Sequence, residues 1–145
     1  MSLNTLFSLL AFKRRPVPVT PLKSIHTMQD AYEFIRKHFK TQERRAYRDG
    51  YGCVYLKADT NEKCAVGCMI SAENYDQEFE GAGIYSAEVS NALRRSTSLD
   101  TSDTKLIEFL SICQNTHDAA NGPLKDSIPD LDAHAVRFGL DVPSL

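Results

Sequence analysis

The sequence predicts an α+β domain in which about four helices pack against a small β-hairpin. Four segments carry apolar residues at helical spacing behind a capping residue, and one segment rich in β-favouring residues is divided by a polar turn. The length of 145 residues suits one domain with its own core. We therefore predict an N-terminal arm with a proline-rich linker over residues 1–25 and a single globular domain over residues 26–145.

The first two helices are predicted from their capping residues. Thr27 is a candidate N-cap and Asp30, three residues later, is placed to reach back to it, so a helix is expected from here to about Thr41. Ser86 is the N-cap of a second helix that runs to about Arg95.

The third and fourth helices are predicted from start and stop signals. Ser102 or Asp103 begins the third helix, and the Asn-Gly-Pro sequence at 121–123 stops it. Pro129 opens the fourth helix, which Gly139 ends.

The hairpin is predicted from residues 53–56 as one strand, residues 59–61 as the turn and residues 63–66 as the returning strand. The following segment, residues 64–70, reads Cys-Ala-Val-Gly-Cys-Met-Ile and fits either a strand or a helix. Ser71 then opens a short helical turn that ends near Tyr75.

Charge is distributed unevenly although the formal net charge is only −2. Residues 1–57 contain 11 Lys and Arg against 4 Asp and Glu, whereas residues 58–145 contain 6 against 15. Either the two halves neutralise each other on folding, or one face meets a charged partner.

Cysteine usage and the N-terminus indicate the compartment. Four cysteines are too few for a disulfide-dependent scaffold, which favours a reducing cytoplasm. The apolar run at residues 6–12 precedes its basic residues, which is the wrong order for a secretory signal, and it is shorter than the roughly 20 residues that span a bilayer. We expect it to dock on the protein's own core or to lie on a membrane surface or partner.

A zinc site is the first chemistry that the cysteines raise, together with His117. In a strand, Cys64 and Cys68 would stand about 13 Å apart at ~3.3 Å per residue and could not share an ion. In a helix they would share a face, but the Cys-x-x-Cys spacing is missing. Core packing is the preferred interpretation of all four cysteines, Cys53, Cys64, Cys68 and Cys113, and no metal or cofactor is expected.

A thiol nucleophile is the second chemistry, with Cys64 attacking, His117 as base and Asp118 as its orienting group. Neighbouring helical residues point roughly 100° apart, so Asp118 is not expected to orient His117. The preferred interpretation places His117 in the core with its ring bonded to a backbone carbonyl. A cysteine-dependent enzyme using Cys64 and His117 is kept as an alternative.

The Gly-Ala-Gly sequence at 81–83 lacks a full phosphate-binding pattern and predicts a turn. Tyr75, Phe79 and Tyr85 surround it and suit either a core or an exposed aromatic patch for a protein partner.

Residues 28–140 resemble a family of small uncharacterised proteins encoded by phages and bacteria. The resemblance begins with a His-Phe-x-x-Gln pattern at 38–42 and an aromatic strand at 53–55. It continues with the Cys-Ala-Val-Gly-Cys-x-Ile segment at 64–70, a Tyr-Asp pair at 75–76 and a Glu-Gly pair at 80–81. It ends with a Gln-x-x-His-Asp step at 114–118 and a Phe-Gly-Leu sequence at 138–140. It implies the fold and a phage or mobile-element origin, and it transfers no catalytic residue. The hairpin turn lacks the Gly-Pro or Pro-Asp-Gly that the family often shows, and residues 1–25 have no counterpart.

These observations favour a non-enzymatic binding module, an accessory protein that binds a host protein in the cytoplasm of the bacterial host. Its predicted docking residues are Arg44, Arg45, Arg48, Tyr75 and Tyr85. Nucleic-acid binding through the basic half is a further alternative; it would require basic residues interleaved with stacking aromatics. The sequence leaves the oligomeric state open.

Overall fold

The computed structural model describes residues 20–144. It contains four α-helices, α1 (Met28–Thr41), α2 (Ala87–Ser96), α3 (Thr104–Asp118) and α4 (Ile128–Arg137). Four two-residue strands form two antiparallel hairpins, β1 (Tyr47–Arg48) with β2 (Gly52–Cys53) and β3 (Leu56–Lys57) with β4 (Glu62–Lys63). The predicted α+β fold class is confirmed.

Helix α1 begins as its sequence predicts. The Thr27 hydroxyl accepts a hydrogen bond from the Asp30 backbone N–H at 3.0 Å, and the Asp30 carboxylate accepts from the Thr27 backbone N–H at 3.1 Å. This reciprocal capping box satisfies two donors that the first helical turn leaves unpaired. The apolar face of α1 is then buried through Ala31, Tyr32, Ile35 and Phe39.

Helix α3 is the central element of the core. Asp103, one of its two predicted caps, accepts hydrogen bonds from the backbone N–H groups of Lys105 and Leu106. Phe109 is fully buried and meets the ring of Tyr32 in α1 edge-on, with ring centroids 6.4 Å apart. Helices α1, α3 and α4 pack around this contact, together with a short 3-10 helix at Leu124–Ser127.

The segment before α1 also packs on the domain. Ile25 is buried in the core, and its carbonyl accepts a hydrogen bond from the Ser98 N–H at 2.9 Å. The Lys23 ammonium donates to the carbonyl of Thr97, just after α2. Residues 1–19 of the arm predicted over residues 1–25 lie outside the described residues. Residues 22–25 of that arm pack on the domain.

The sheet differs in detail from the single predicted hairpin. The pair β1 and β2 was not predicted, and β3 and β4 are shorter than the expected strands. The predicted strand over residues 53–56 is divided between β2 and β3, because N–H groups at the junction bond elsewhere: Val54 donates to the carbonyl of Ala46, and Tyr55 and Leu56 donate to the Glu80 carboxylate. The Glu80 side chain, 25 positions from Tyr55 in the sequence, therefore interrupts a strand that the local sequence favours.

Residues 64–70 form neither a strand nor an α-helix. They make a tight turn followed by a 3-10 helix at Gly67–Met69, with the Cys68 N–H bonded to the Cys64 carbonyl at 3.0 Å. Gly67 packs directly on Tyr55, where an added Cβ would collide with the carbonyl oxygen and lie 2.8 Å from the carbonyl carbon. Glycine is required here by the close approach of two backbones.

Part of the charge asymmetry is neutralised within the fold. Arg36 from the basic half bonds Asp132 from the acidic half through two guanidinium nitrogens, at 2.9 and 3.2 Å. Arg44 likewise bonds Glu62 at 2.8 Å. The ion pairs among the described residues thus join the two halves of the chain, as expected if the asymmetry serves folding.

Candidate functional site

His117 lies at the centre of a buried hydrogen-bond network. Its side chain is inaccessible to solvent, its Nε2 accepts from the Ala46 backbone N–H at 3.0 Å, and its Nδ1 lies 2.8 Å from Asp118 Oδ1. The prediction that Asp118 would not orient His117 is therefore wrong, because the two side chains bend towards each other at the end of α3. The ring bonds a backbone N–H, and not the expected carbonyl.

These two bonds fix the chemistry of the imidazole. An Nε2 that accepts a hydrogen bond from the Ala46 N–H is itself unprotonated, so the ring carries its proton on Nδ1 and donates a hydrogen bond from there to Asp118. A catalytic base needs a free lone pair facing its substrate, and here that lone pair is already used by the backbone. The His117 ring therefore connects α3 to the segment before β1.

The Asp118 carboxylate extends this network to the surface. Its Oδ1 accepts from Gln114 Nε2 at 3.0 Å as well as from His117, and the side chain is 39% exposed. Gln114 in turn accepts from the Val66 N–H at 3.2 Å. We name this set, His117, Asp118, Gln114 and their backbone partners, the His117 network.

Cys53 lies beside the network and forms the one cluster of potential metal ligands among residues 20–144. Cys53, His117 and Asp118 each offer one ligand atom, and these three atoms lie within 4.8 Å of one another. Burial and the neighbouring Asp118 carboxylate raise the pKa of the Cys53 thiol to about 11, so the thiol is protonated at neutral pH.

The hydrogen bonds argue against a metal at this cluster. A histidine that binds a metal through one nitrogen carries a proton on the other and donates it to an acceptor. The remaining nitrogen of His117 faces the N–H of Ala46, which is a donor. If a metal bound at Nδ1, the Nε2–H of His117 would face the Ala46 N–H, so two donors would repel each other or the hydrogen bond to Ala46 would break.

Cys64, the predicted nucleophile, is fully buried. Its sulfur accepts from the Gly67 N–H at 3.2 Å, and burial raises the pKa of the thiol to about 12. Among the described residues no hydrogen bond joins Cys64 to His117. Burial also raises the pKa values of Cys68 and Cys113, so these three cysteines have the properties of core residues.

The predicted docking arginines flank exposed tyrosines. The Arg45 guanidinium lies 4.5 Å from the ring centre of Tyr47, and that of Arg48 lies 5.7 Å from the ring centre of Tyr51. Tyr47 and Tyr51 were missed as candidates, although arginines and tyrosines alternate through residues 44–51.

Tyr85 lies next to this hairpin. It is 71% exposed, against 52% for Tyr51 and 38% for Tyr47. The Tyr51 hydroxyl reaches the loop that carries Tyr85, where it would be 3.1 Å from a Cβ on Gly81. We call the set Arg45, Tyr47, Arg48, Tyr51 and Tyr85 the tyrosine and arginine surface.

Two predicted docking residues are already engaged within the protein. Tyr75 is half-buried, packs edge-on against Phe79 and donates its hydroxyl to Glu80 at 2.7 Å. Arg44 is paired with Glu62, although its side chain is 72% exposed. Tyr75 therefore offers less free surface than Tyr51 or Tyr85, whereas Arg44 is exposed but has its guanidinium paired.

A cleft opens between the tyrosine and arginine surface and α3. Its volume is about 270 Å³, and the backbone of residues 81–84 forms one wall. The side chains that give it its chemical character are Cys53, Tyr85, Ser111, Gln114, Asn115 and Asp118. We call it the Asp118 cleft.

Comparison with models of known families, with curated proteins and with solved structures finds no match to this chain. The resemblance noted from the sequence motifs stays a prediction. Within residues 20–144, no helix has the length and apolar character needed to cross a membrane.

Proposed function

We propose that this protein is a binding module, without catalytic activity of its own, that binds a protein of its host through the tyrosine and arginine surface. In keeping with the resemblance, it would be an accessory protein of phage or mobile-element origin that acts in the bacterial cytoplasm. The observation that carries the proposal is the exposure of three tyrosines on one hairpin and its neighbouring loop.

Four large hydrophobic side chains are clearly exposed within residues 20–144, and three of them are Tyr47, Tyr51 and Tyr85. Tyrosine and arginine are the residues most enriched, together with tryptophan, among those that dominate binding energy at protein interfaces. A stacked arginine keeps a ring oriented while both remain accessible. The surface therefore supplies anchors at a low cost in side-chain entropy.

The local charge favours a protein over a nucleic acid. Residues 42–63, which contain both hairpins, carry five Lys and Arg and four Asp and Glu. Glu62 also neutralises Arg44 directly. Binding to a phosphate backbone depends on a strong positive field, and a surface that is nearly neutral lacks one.

Differential capture tests the proposal. The full chain would be immobilised and exposed to nuclease-treated bacterial lysate beside a Tyr51→Ala/Tyr85→Ala variant and a Val136→Ala variant, followed by quantitative mass spectrometry. Val136 is the matched control because it is 62% exposed and lies on α4. A protein retained by the natural chain and by Val136→Ala, and reduced at least about tenfold by the double variant, is the expected result.

Two outcomes would overturn the proposal. Retention of the same proteins by all three chains would mean that the tyrosines do not bind them. Capture that occurs only when the nuclease is left out, with an affinity that falls steeply with salt, would assign the surface to nucleic acid.

A further inference from the structure

We propose that the Asp118 cleft receives an arginine side chain of the bound partner. This inference rests on the proposed function, since the guest belongs to the protein that covers the tyrosine and arginine surface. It names a contact of that complex which the exposed tyrosines alone do not define.

The first argument is the charge of the cleft. Asp118 is the one Asp, Glu, Lys or Arg among the described residues that line it. Its carboxylate accepts hydrogen bonds from the neutral groups of His117 and Gln114, both at Oδ1. No Lys or Arg among residues 20–144 forms an ion pair with it. A partly exposed carboxylate of this kind has an unused capacity for a cation.

Arg45 is the nearest cation, and its geometry leaves that capacity open. Its NH1 donates to the Asp118 main-chain carbonyl at 2.6 Å, and its guanidinium lies over the Tyr47 ring. Arg45 is therefore held by the backbone of α3 and by the hairpin, and it does not line the cleft. Its positive charge weakens the attraction of the site for a second cation without occupying it.

The second argument is the arrangement of acceptors. Ser111, Asn115 and Asp118 recur at a spacing of three to four residues, so they follow one face of α3 along the cleft. A planar guanidinium presents five N–H donors in a rigid fork and has no acceptor. A hydroxyl, an amide oxygen and a carboxylate in a row match this set of donors better than they match a single ammonium group.

The third argument is Tyr85 at the rim. Its ring is exposed and borders the same cleft as the carboxylate. Guanidinium groups stack on aromatic rings with a gain of roughly two- to fivefold in affinity at exposed sites. The volume of about 270 Å³ leaves room for one long side chain. The Tyr85 ring would cover the arginine side chain when the partner binds the tyrosine and arginine surface.

A titration with a small probe tests the cleft without the partner. The ¹⁵N-labelled full chain would be titrated with N-acetyl-arginine amide and, in parallel, with N-acetyl-citrulline amide, which has nearly the same shape and no charge. Arginine should shift the amide signals of residues 81–85 and 111–118 and bind at least about tenfold more tightly than citrulline, because hydrogen bonds to a charged group are the stronger ones.

Two variants assign the effect to the carboxylate. Asp118→Asn retains an oxygen that accepts from His117 and should reduce the preference for arginine to less than about twofold. Asp49→Asn removes an exposed carboxylate from the β1 and β2 turn, outside the cleft, and should leave the preference unchanged. If Asp118→Asn does not fold, Tyr85→Ala replaces it, with an expected loss of about threefold in arginine affinity.

Equal binding of the two probes, or shifts confined to other parts of the chain, would overturn the assignment of the cleft. Capture of a partner by the tyrosines together with a failed titration would refute the cleft and leave the proposed function standing. A specific arginine response without any captured protein would refute the partner and leave the cleft as a site for a guanidinium ligand.

Discussion

Two regions of this protein carry most of its chemically distinctive residues, and they use them in opposite ways. The segment at residues 64–70 and the end of α3 contain cysteines, a histidine and an aspartate, yet nearly all their polar groups bond within the protein. The hairpin at residues 47–53 and the loop at residues 81–85 have plainer sequences, yet they leave tyrosine side chains exposed to solvent. Reactive residue types therefore build the core here, and the free surface is aromatic.

Burial accounts for this difference. A buried polar group that lacks a partner costs about 1–3 kcal/mol, so the core position of His117 requires complete bonding. No buried side-chain nitrogen or oxygen among the described residues lacks a hydrogen bond. An exposed tyrosine carries no such requirement and remains available to a partner.

The largest effect is expected from Gly67→Ala. The added methyl group collides with the Tyr55 backbone, which has no flexible end to move aside. We expect destabilisation by more than about 4 kcal/mol, and chemical denaturation followed by circular dichroism would measure it. Gly83→Ala is the control, because its Cβ would meet nothing within 4 Å. Equal stability of the two variants would show that the segment at residues 64–70 is not packed as described.

The thiols of the two regions should differ in reactivity. Cys64 is fully buried, whereas Cys53 is partly accessible through the Asp118 cleft. Cys64 should be alkylated by iodoacetamide at pH 7.5 at least about 100-fold more slowly in the folded protein than in urea, because the reaction requires local opening. Mass spectrometry of quenched samples gives both rates. Rapid labelling of Cys64 in the folded protein would instead support the cysteine-dependent enzyme.

Replacing His117 tests the buried network itself. In His117→Leu the buried Ala46 N–H loses its partner and the Asp118 carboxylate loses one of its two, and we expect a loss of about 2–3 kcal/mol in the free energy of unfolding. His26→Leu is the matched control because His26 is exposed. A urea denaturation series of both variants makes the measurement, and a loss no greater than that of the control would contradict the role of the network.

The stability of the buried side should also depend on pH through His38. Burial lowers the pKa of His38 below its usual value, while its Nε2 donates to the Lys63 carbonyl at 2.8 Å. The unfolded state therefore takes up the proton first as pH falls. The contribution of the neutral ring is present above the unfolded pKa of about 6.5 and is lost as pH falls through the folded value.

Urea midpoints at pH 7.5 and pH 5.5 would measure this dependence. His38→Gln should flatten it, and His26→Gln should leave it as it is in the natural chain. An unchanged slope in His38→Gln would assign the pH dependence to other groups.

The smallest change in stability is expected from Tyr85→Ala on the exposed side. This residue is 71% exposed, so its removal should alter the free energy of unfolding by no more than about 0.5 kcal/mol. The same substitution should weaken binding of the captured partner by about 2 kcal/mol, or roughly 30-fold, as measured by calorimetry. A large loss of stability with unchanged binding would reverse the assignment of the two regions.

Local signals in the sequence were sufficient for the helices. Thr27 with Asp30, Ser86 and Asp103 cap them where predicted, because capping involves residues only three or four positions apart. The hairpins were harder to predict because Glu80 takes the N–H groups of Tyr55 and Leu56 from a distant position.

The candidate site was predicted only in part. Arg45, Arg48 and Tyr85 were chosen from charge and composition; Arg45 and Arg48 lie against the rings of Tyr47 and Tyr51, Tyr85 is exposed, and their role in docking stays a prediction. Tyr75 was chosen on the same grounds but is half-buried against Phe79, since composition does not distinguish an interface aromatic from a core aromatic. The bond between His117 and Asp118 was excluded on ideal helix geometry, which ignores the bending of two side chains at a helix end.

The sequence by itself determined the α+β class, the four helices and the side-chain caps of the first three, because these depend on periodicity and on contacts between near neighbours. Only the tertiary structure decided which polar residues are buried and which stay free. The tertiary structure brings Ala46 to His117 and Gly67 to Tyr55, and it places Asp118 in a cleft beside Tyr85. Such pairings depend on segments that are distant in the chain and close in space, and no local pattern encodes them.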